Sequence, residues 1–170
     1  MTEKNDKIDI RLAQNSDINT ILSILDKAAI WLYEIGITNQ WVPGEIFEYD
    51  HYYKEAIEKN HLYVAVKEGI VIGTFLIRWS DKVLWGVEDD HAGYIHHLAI
   101  DRAYSNKGLG QKLLDWAENK IRSNGKSTIR LDCVDTNTKL NQYYLDKGYK
   151  YVRSIEYYDG DIGNLYEKNI

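Results

Sequence analysis

A chain of 170 residues is long enough for one domain with a buried core, and nothing in it marks a second. Its 21 Lys and Arg against 26 Asp and Glu give a formal net charge of -5, which leaves no broad basic face and argues against nucleic acid as a partner. The single Cys133 excludes an internal disulfide framework, the polar opening 1–7 has no apolar signal core, and no apolar run reaches the roughly 18 residues that cross a bilayer, so a soluble, cytoplasmic protein without a membrane partner is expected.

Taken in order, Ile8, Ile10 and Leu12 alternate with polar residues and predict a first strand. Ser16 is placed as the N-cap of a helix whose stripe of Ile18, Ile21, Leu22, Leu25, Ala29 and Leu32 ends before Gly36. An aromatic loop follows, with Trp31, Tyr33, Trp41, Phe47, Tyr49, Tyr52 and Tyr53 around the only proline, Pro43. It reads either as a lid packed on the core or as the wall of a substrate pocket. Glu55 to Asn60 carry a second helix. Leu62 to Val66 and Val71 to Trp79 form a hairpin turned at Glu68-Gly69, with Gly73 marking a bulge or a close backbone approach. Ser80 to Asp90 read as a polar, acidic connection.

The stretch from Tyr94 to Lys120 organises the chain. Ile95, Leu98, Ala99 and Ile100 make a buried strand, Asp101 to Lys107 supply turn chemistry, and Gly108, Leu109 and Gly110 open a helix. Leu109, Leu113, Ala117 and Ile121 recur every fourth position, with Leu114 widening the stripe. Glycines at a helix start let an anion approach unpaired N–H groups at the positive end of the dipole, so this turn is expected to hold a phosphate. Thr128 to Val134 then read as a strand, Asn137 to Lys147 as a helix stopped by Gly148, and Tyr149 to Lys168 as a closing hairpin turned at Asp159-Gly160.

With these elements laid out, the sequence resembles the GNAT superfamily of acetyl-coenzyme A dependent N-acetyltransferases. Tyr94-Ile95-His96-His97-Leu98-Ala99-Ile100 looks like that family's central strand, Ser105-Asn106-Lys107-Gly108-Leu109-Gly110 like its pyrophosphate loop, and Asn137, Tyr144, Gly148 and Tyr149 match its later spacing. The family usually has Arg or Gln and then another Gly where this chain has Ser105 and Asn106, and Asn tolerates the left-handed backbone such a turn needs. The resemblance implies an α/β fold across residues 1–170, with a mixed, mostly antiparallel sheet, a central strand splayed at a bulge, and flanking helices. It also implies acetyl-coenzyme A as cosubstrate, and a small-molecule or peptidyl amine as acceptor. A homodimer is compatible with it. A noncatalytic acyl-coenzyme A binding module is the competing class.

Several residues then acquire expected roles. The main chain of Leu98, Ala99 and Ile100 is expected to bind the pantetheine arm, and Ser105 to Gly110 with Gln111 and Asn137 to hold the rest of the cofactor. Lys107 can add a charged contact. Tyr144 matches the family's general acid for the departing thiolate, while its neighbour Tyr143 packs on the core. For the amine proton the candidates are His96 and His97, placed by strand alternation on opposite faces, and either reads equally as a structural histidine. Glu88, Asp89 and Asp90 either attract a cationic amine or are simply solvated. The sequence offers no metal site, and Cys133 reads as a small core hydrophobe.

Overall fold

The alternating segments pair where their patterns place them in the computed structural model, which describes residues 7–86 and 90–170. Strand β1 (Asp9–Leu12) pairs antiparallel with β2 (Leu62–Lys67), and β2 with β3 (Ile70–Arg78). Glu68 and Gly69 join the hairpin with φ of 50° and 79°, the left-handed pair that matches strand twist. Strand β4 (Ala92–Ile100) runs antiparallel to β3 and parallel to β5 (Thr128–Val134). The closing hairpin of β6 (Lys150–Glu156) and β7 (Ile162–Asn169) sets β7 between β5 and β6. Among the described residues the sheet order is β1-β2-β3-β4-β5-β7-β6, antiparallel throughout except between β4 and β5.

Helices cover both faces. Helix α1 (Ile18–Glu34) and α2 (Asp50–Glu58) bury Ile21, Leu25, Tyr53 and Ala56 against Leu62, Val64, Leu76 and Ala99. A short α3 (Lys82–Trp85), capped by the Asp81 carboxylate, occupies the connection that the sequence presents as loop. On the opposite face α4 (Leu109–Ser123) buries Leu109, Leu113, Leu114, Ala117 and Ile121 against Phe75, Ile95, Ile129 and Leu131. Each buried Leu or Ile is worth about 1.5–3 kcal/mol, so tertiary burial holds a helix whose N-cap, Gly108, offers no side chain. Helix α5 (Thr138–Asp146) packs Leu140, Tyr143 and Tyr144 on the same cluster and ends at left-handed Gly148. No described helix is long and apolar enough to cross a membrane.

Two local expectations, the Ser16 cap and the start of the second helix, are corrected, and the one for Gly73 is met. Ser16 does not cap α1, because the helix is led in by a 3-10 turn, Asn15–Asp17. Arg11 grips the Asp17 carboxylate with two bonds of 2.7 and 3.0 Å, and Asp17 accepts from the Gln14 N–H, so the capping box belongs to Gln14 and Asp17. Gly73 is a close approach: an added Cβ would lie 3.2 Å from the Ala99 carbonyl oxygen. Gly73 also flanks a bulge, since Ala65 pairs with Gly73 and Val66 with Val71, which leaves Ile72 of β3 as the extra residue beside it. Helix α2 starts at Asp50, upstream of Glu55, because Tyr53 turns inward and is buried.

The feature that creates the site is the parting of β4 from β5. The two strands share only the rungs Ala92–Thr128, Gly93–Ile129 and Tyr94–Arg130, although β5 continues to Val134. On the other edge of β4, His96 pairs with Leu76 and Ala99 with Thr74, so His97 and Leu98 together face Phe75. That is a β-bulge, with His97 in the left-handed region at φ 49°. The extra residue cancels one step of alternation. His96 and His97 therefore lie on the same face, toward α1 and α2, and not on opposite faces as strict alternation predicts.

The start of the splay is held by close packing at Gly93, where an added Cβ would fall 2.7–3.0 Å from the Ile121 side chain. Gly93→Ala is expected to destabilise the fold by about 1–3 kcal/mol through overpacking. Urea unfolding checks it, as a lower midpoint at an unchanged slope.

Candidate active site

The parting strands open two connected cavities, which share Gln40, Trp41, Leu98 and Leu140 in their linings. The first, about 500 Å³, lies over the turn from β4 into α4. Asp101 caps a short 3-10 turn, Arg102–Tyr104, by accepting from the Ala103 N–H. The Ser105 hydroxyl donates back to the Arg102 carbonyl at 2.8 Å. Asn106 and Gly108 then take φ of 60° and 71°, which turns the chain into the first amides of α4. Those amides have no intrahelical acceptor. An added Cβ at Gly108 or Gly110 would meet nothing within 4 Å, so the cradle is open to a ligand. Arg102, whose guanidinium stacks 3.9 Å over Trp31, and Lys139 bring positive charge to this lining. An anion with an extended apolar tail fits such a volume.

The second cavity, about 370 Å³, lies where β5 has turned away from the bulge. Its lining carries Asp132, Asp159, His96, Tyr144 and Tyr157, and holds neither Lys nor Arg among the described residues. His96 sits between two carboxylates, with Nε2 3.3 Å from Asp81 and Nδ1 3.7 Å from Asp132. The Tyr157 phenol donates to the other Asp132 oxygen at 2.5 Å. Desolvation raises the Asp132 pKa above the usual carboxylate value, against the opposing pull of His96 and Tyr157. Burial likewise raises the Tyr144 phenol above its ordinary value, reinforced by Cys133 and Asp132, so Tyr144 stays protonated at neutral pH.

His97 is placed differently. Its Nδ1 shares a 2.9 Å hydrogen bond with the Tyr53 phenol, and its ring packs among Trp41, Tyr52 and Tyr53. Desolvation first, then His96 and Arg78 nearby, pushes its pKa down to about 3. Cys133 is buried and its thiol is pushed up to about 12, first by desolvation and then by Asp132. It is unreactive as a nucleophile.

The structure gathers Leu98, Ala99, Ile100, Ser105, Asn106, Gly108, Leu109, Gly110 and Asn137 around the first cavity, and His96, His97 and Tyr144 around the second. Lys107 and Gln111 stand outside both linings. Lys107 lies 5.6 Å from the Tyr104 ring, in a side pocket with Lys67 and Lys112, and Gln111 bonds Asp115 and Tyr143. Asn137 caps α5 by accepting from the Leu140 N–H, and its amide donates to Gln40. Tyr143, expected only to pack, lines the first cavity. Glu88 and Asp89 lie outside the described residues, while Asp90 is exposed and paired with Lys126. In the aromatic loop Trp41 lines both cavities, whereas Tyr33, Phe47 and Tyr49 are exposed. Asp81, Asp132 and Tyr157 were not singled out from sequence. The one available signal was an aspartate within the apolar strand Thr128–Val134.

Comparison with known proteins gives consistent results. A model of the acetyltransferase (GNAT) family matches residues 26–149. The uncharacterized N-acetyltransferase YesJ of Bacillus subtilis (strain 168) is 34% identical over 162 residues, covering 91% of this chain and 86% of the relative. A crystal structure of a GNAT family acetyltransferase from Listeria monocytogenes 4b F2365 superposes with a TM-score of 0.76 at 27% identity, over 96% of this chain and 95% of that one. The PaiA N-acetyltransferase of Thermoplasma acidophilum, crystallised in complex with coenzyme A, shares the fold at a TM-score of 0.75 and 18% identity, over 96% and 99% of the two chains.

Proposed function

The chain belongs to the GNAT acetyltransferase family and is an N-acetyltransferase, and from that premise we propose that residues 1–170 act as one domain moving the acetyl group of acetyl-coenzyme A directly to a primary amine of a small molecule or peptide. The observation that carries the acceptor reading is the contrast between the two cavities. The first brings Arg102 and Lys139 beside a turn of exposed amides, which suits phosphates. The second brings Asp132 and Asp159 into a lining without Lys or Arg, which suits an ammonium ion.

In this reading the amides that follow Ser105, Asn106 and Gly108, through Leu109 and Gly110, hold the pyrophosphate. The main chain of Leu98, Ala99 and Ile100 takes the pantetheine arm along the β4 edge that β5 has left, and Asn137 borders its path. Acetyl-coenzyme A supplies an acyl carbon activated as a thioester. Tyr144 donates a proton to the leaving thiolate, a role for which its raised pKa keeps it in the correct form. His96 stores the proton lost by the amine. His97 does not compete for that task, since an imidazole that protonates near pH 3 is a poor proton acceptor at neutral pH. It holds the bulge in place through Tyr53.

Coenzyme A release measured over a panel of primary amines, with mass spectrometry of the products, tests the activity. N-acetylated amine formed with stoichiometric coenzyme A supports it, and turnover confined to hydroxyl acceptors overturns it. The loop has its own test. Gly108→Val forces a β-branched residue to φ 71°, which costs about 1–2 kcal/mol and places methyl groups over the cradle. Calorimetry is expected to give at least about tenfold weaker coenzyme A binding by the folded variant. Unchanged affinity would remove the phosphate assignment.

A further inference from the structure

We infer that Asp132 is the group that touches the acceptor ammonium ion and passes its proton to His96, and that Tyr157 is the residue that positions Asp132 for this. The inference rests on the acetyltransferase reading above. Asp132 projects from β5 into the second cavity beside Tyr144, so it meets an acceptor that enters there. His96 lies between two carboxylates, with Nε2 3.3 Å from Asp81 and Nδ1 3.7 Å from Asp132, and of the two only Asp132 lines the cavity. A short route for a proton from the acceptor to His96 therefore runs through Asp132.

The seat of Asp132 is built by residues far apart in the chain. Tyr157 follows β6 and crosses over β7 to donate its phenolic hydrogen to Asp132 at 2.5 Å. That crossing exists because residue 163 is glycine. An added Cβ there would collide with the Cζ and Oη atoms of Tyr157. One carboxylate oxygen is thus fixed by the phenol, and the other faces His96 and the cavity. Asp81, His96 and Asp132 are not arranged to hold a metal ion.

The proton accounting closes. Asp132 takes one proton from the ammonium ion and yields it to His96, giving an imidazolium between two carboxylates. The neutral amine forms its bond to the acetyl carbon, and the carbon–sulfur bond breaks. Tyr144 protonates the departing thiolate and recovers a proton from the acetylated nitrogen. His96 then releases its proton to solvent, so one proton leaves per turnover. The titratable groups facing this relay are Asp81 from the α3 cap, His97 from β4, Cys133 from β5, Tyr144 from α5, and Tyr157 with Asp159 from the turn after β6. Arg78 from β3 acts on His97.

The experiment uses the full chain and reads three quantities in wild type, Asp132→Asn, Tyr157→Phe and Gly163→Ala. These are coenzyme A affinity by calorimetry, the titration of the His96 ring nitrogens by ¹⁵N NMR, and single-turnover transfer to an amine found in the panel, as a function of pH. Asp132→Asn is expected to bind coenzyme A as wild type does and to change the ¹⁵N signals of the His96 ring, which loses the carboxylate 3.7 Å from Nδ1. Its transfer is expected to slow by about 10²-fold at pH 7, with a defect that shrinks as the amine loses its own proton at higher pH. Tyr157→Phe and Gly163→Ala should shift the pH profile in the same direction by a smaller factor, and they carry the test if Asp132→Asn does not fold. A wild-type transfer rate and profile in these variants, with or without a change at His96, overturns the inference, as do unchanged His96 ¹⁵N signals in Asp132→Asn. Absence of transfer by the wild-type protein would strike the amine reading instead, while the NMR titration would still decide whether Asp132 and His96 share a proton.

Discussion

Tyr144→Phe is expected to lower single-turnover acetyl transfer by about 10²- to 10⁴-fold while leaving coenzyme A affinity close to wild type. The substitution removes one oxygen and keeps the ring, which meets Tyr143, Tyr149 and Tyr166 at centroid distances of 5.6, 5.7 and 6.2 Å. Packing is thus preserved and the proton donor deleted. A steady-state assay could hide the effect behind slow product release, so the transfer is timed in a single turnover. A rate equal to wild type would make Tyr144 a packing residue and leave the thiolate to be protonated by water.

His97→Asn is expected to flatten the loss of stability in acid. In the folded protein His97 binds a proton only near pH 3, first because burial strips its hydration and then because His96 and Arg78 are close. In the unfolded chain an imidazole binds one near pH 6.5. Between these values the unfolded state holds more protons, so stability rises with pH across this window and is lost as pH falls through it. Going from pH 8 to pH 5, this one group costs about 2 kcal/mol. Asparagine accepts the left-handed backbone of the bulge and does not titrate. Urea unfolding of both proteins at pH 5 and pH 8 should therefore give a difference about 2 kcal/mol smaller for the variant. Equal differences would mean that His97 is not held neutral.

Much of this architecture was legible because it is written in local periodicities. The stripe of Leu109, Leu113, Ala117 and Ile121 specifies a half-buried helix, and alternation specifies the hairpins. The bulge was hidden for the same reason. One inserted residue leaves the apolar run from Tyr94 to Ile100 intact while reversing the side on which every later residue falls, and only the pairing of His96 with Leu76 and Ala99 with Thr74 reveals it. Ser16 looked like a cap because the sequence does not say that Arg11 will claim Asp17. The acidic group around His96 was invisible on stronger grounds. Asp81, Asp132 and Tyr157 come from a short helix cap, a strand and a hairpin end, and only the sheet order brings them together.

The early parting of β4 and β5 has a consequence for how the protein behaves as a sheet. After three rungs the sheet carries two raw inner edges at its centre, a place where most sheets are fully laddered. A ligand that lays a chain of amides along β4 supplies the missing rungs. Its binding adds directly to resistance to unfolding, by about 2.7 kcal/mol at a concentration one hundred times Kd. Amide hydrogens of Leu98 and Ile100 would then exchange slowly with solvent only in saturated protein, and melting temperature would track the cofactor supply around it.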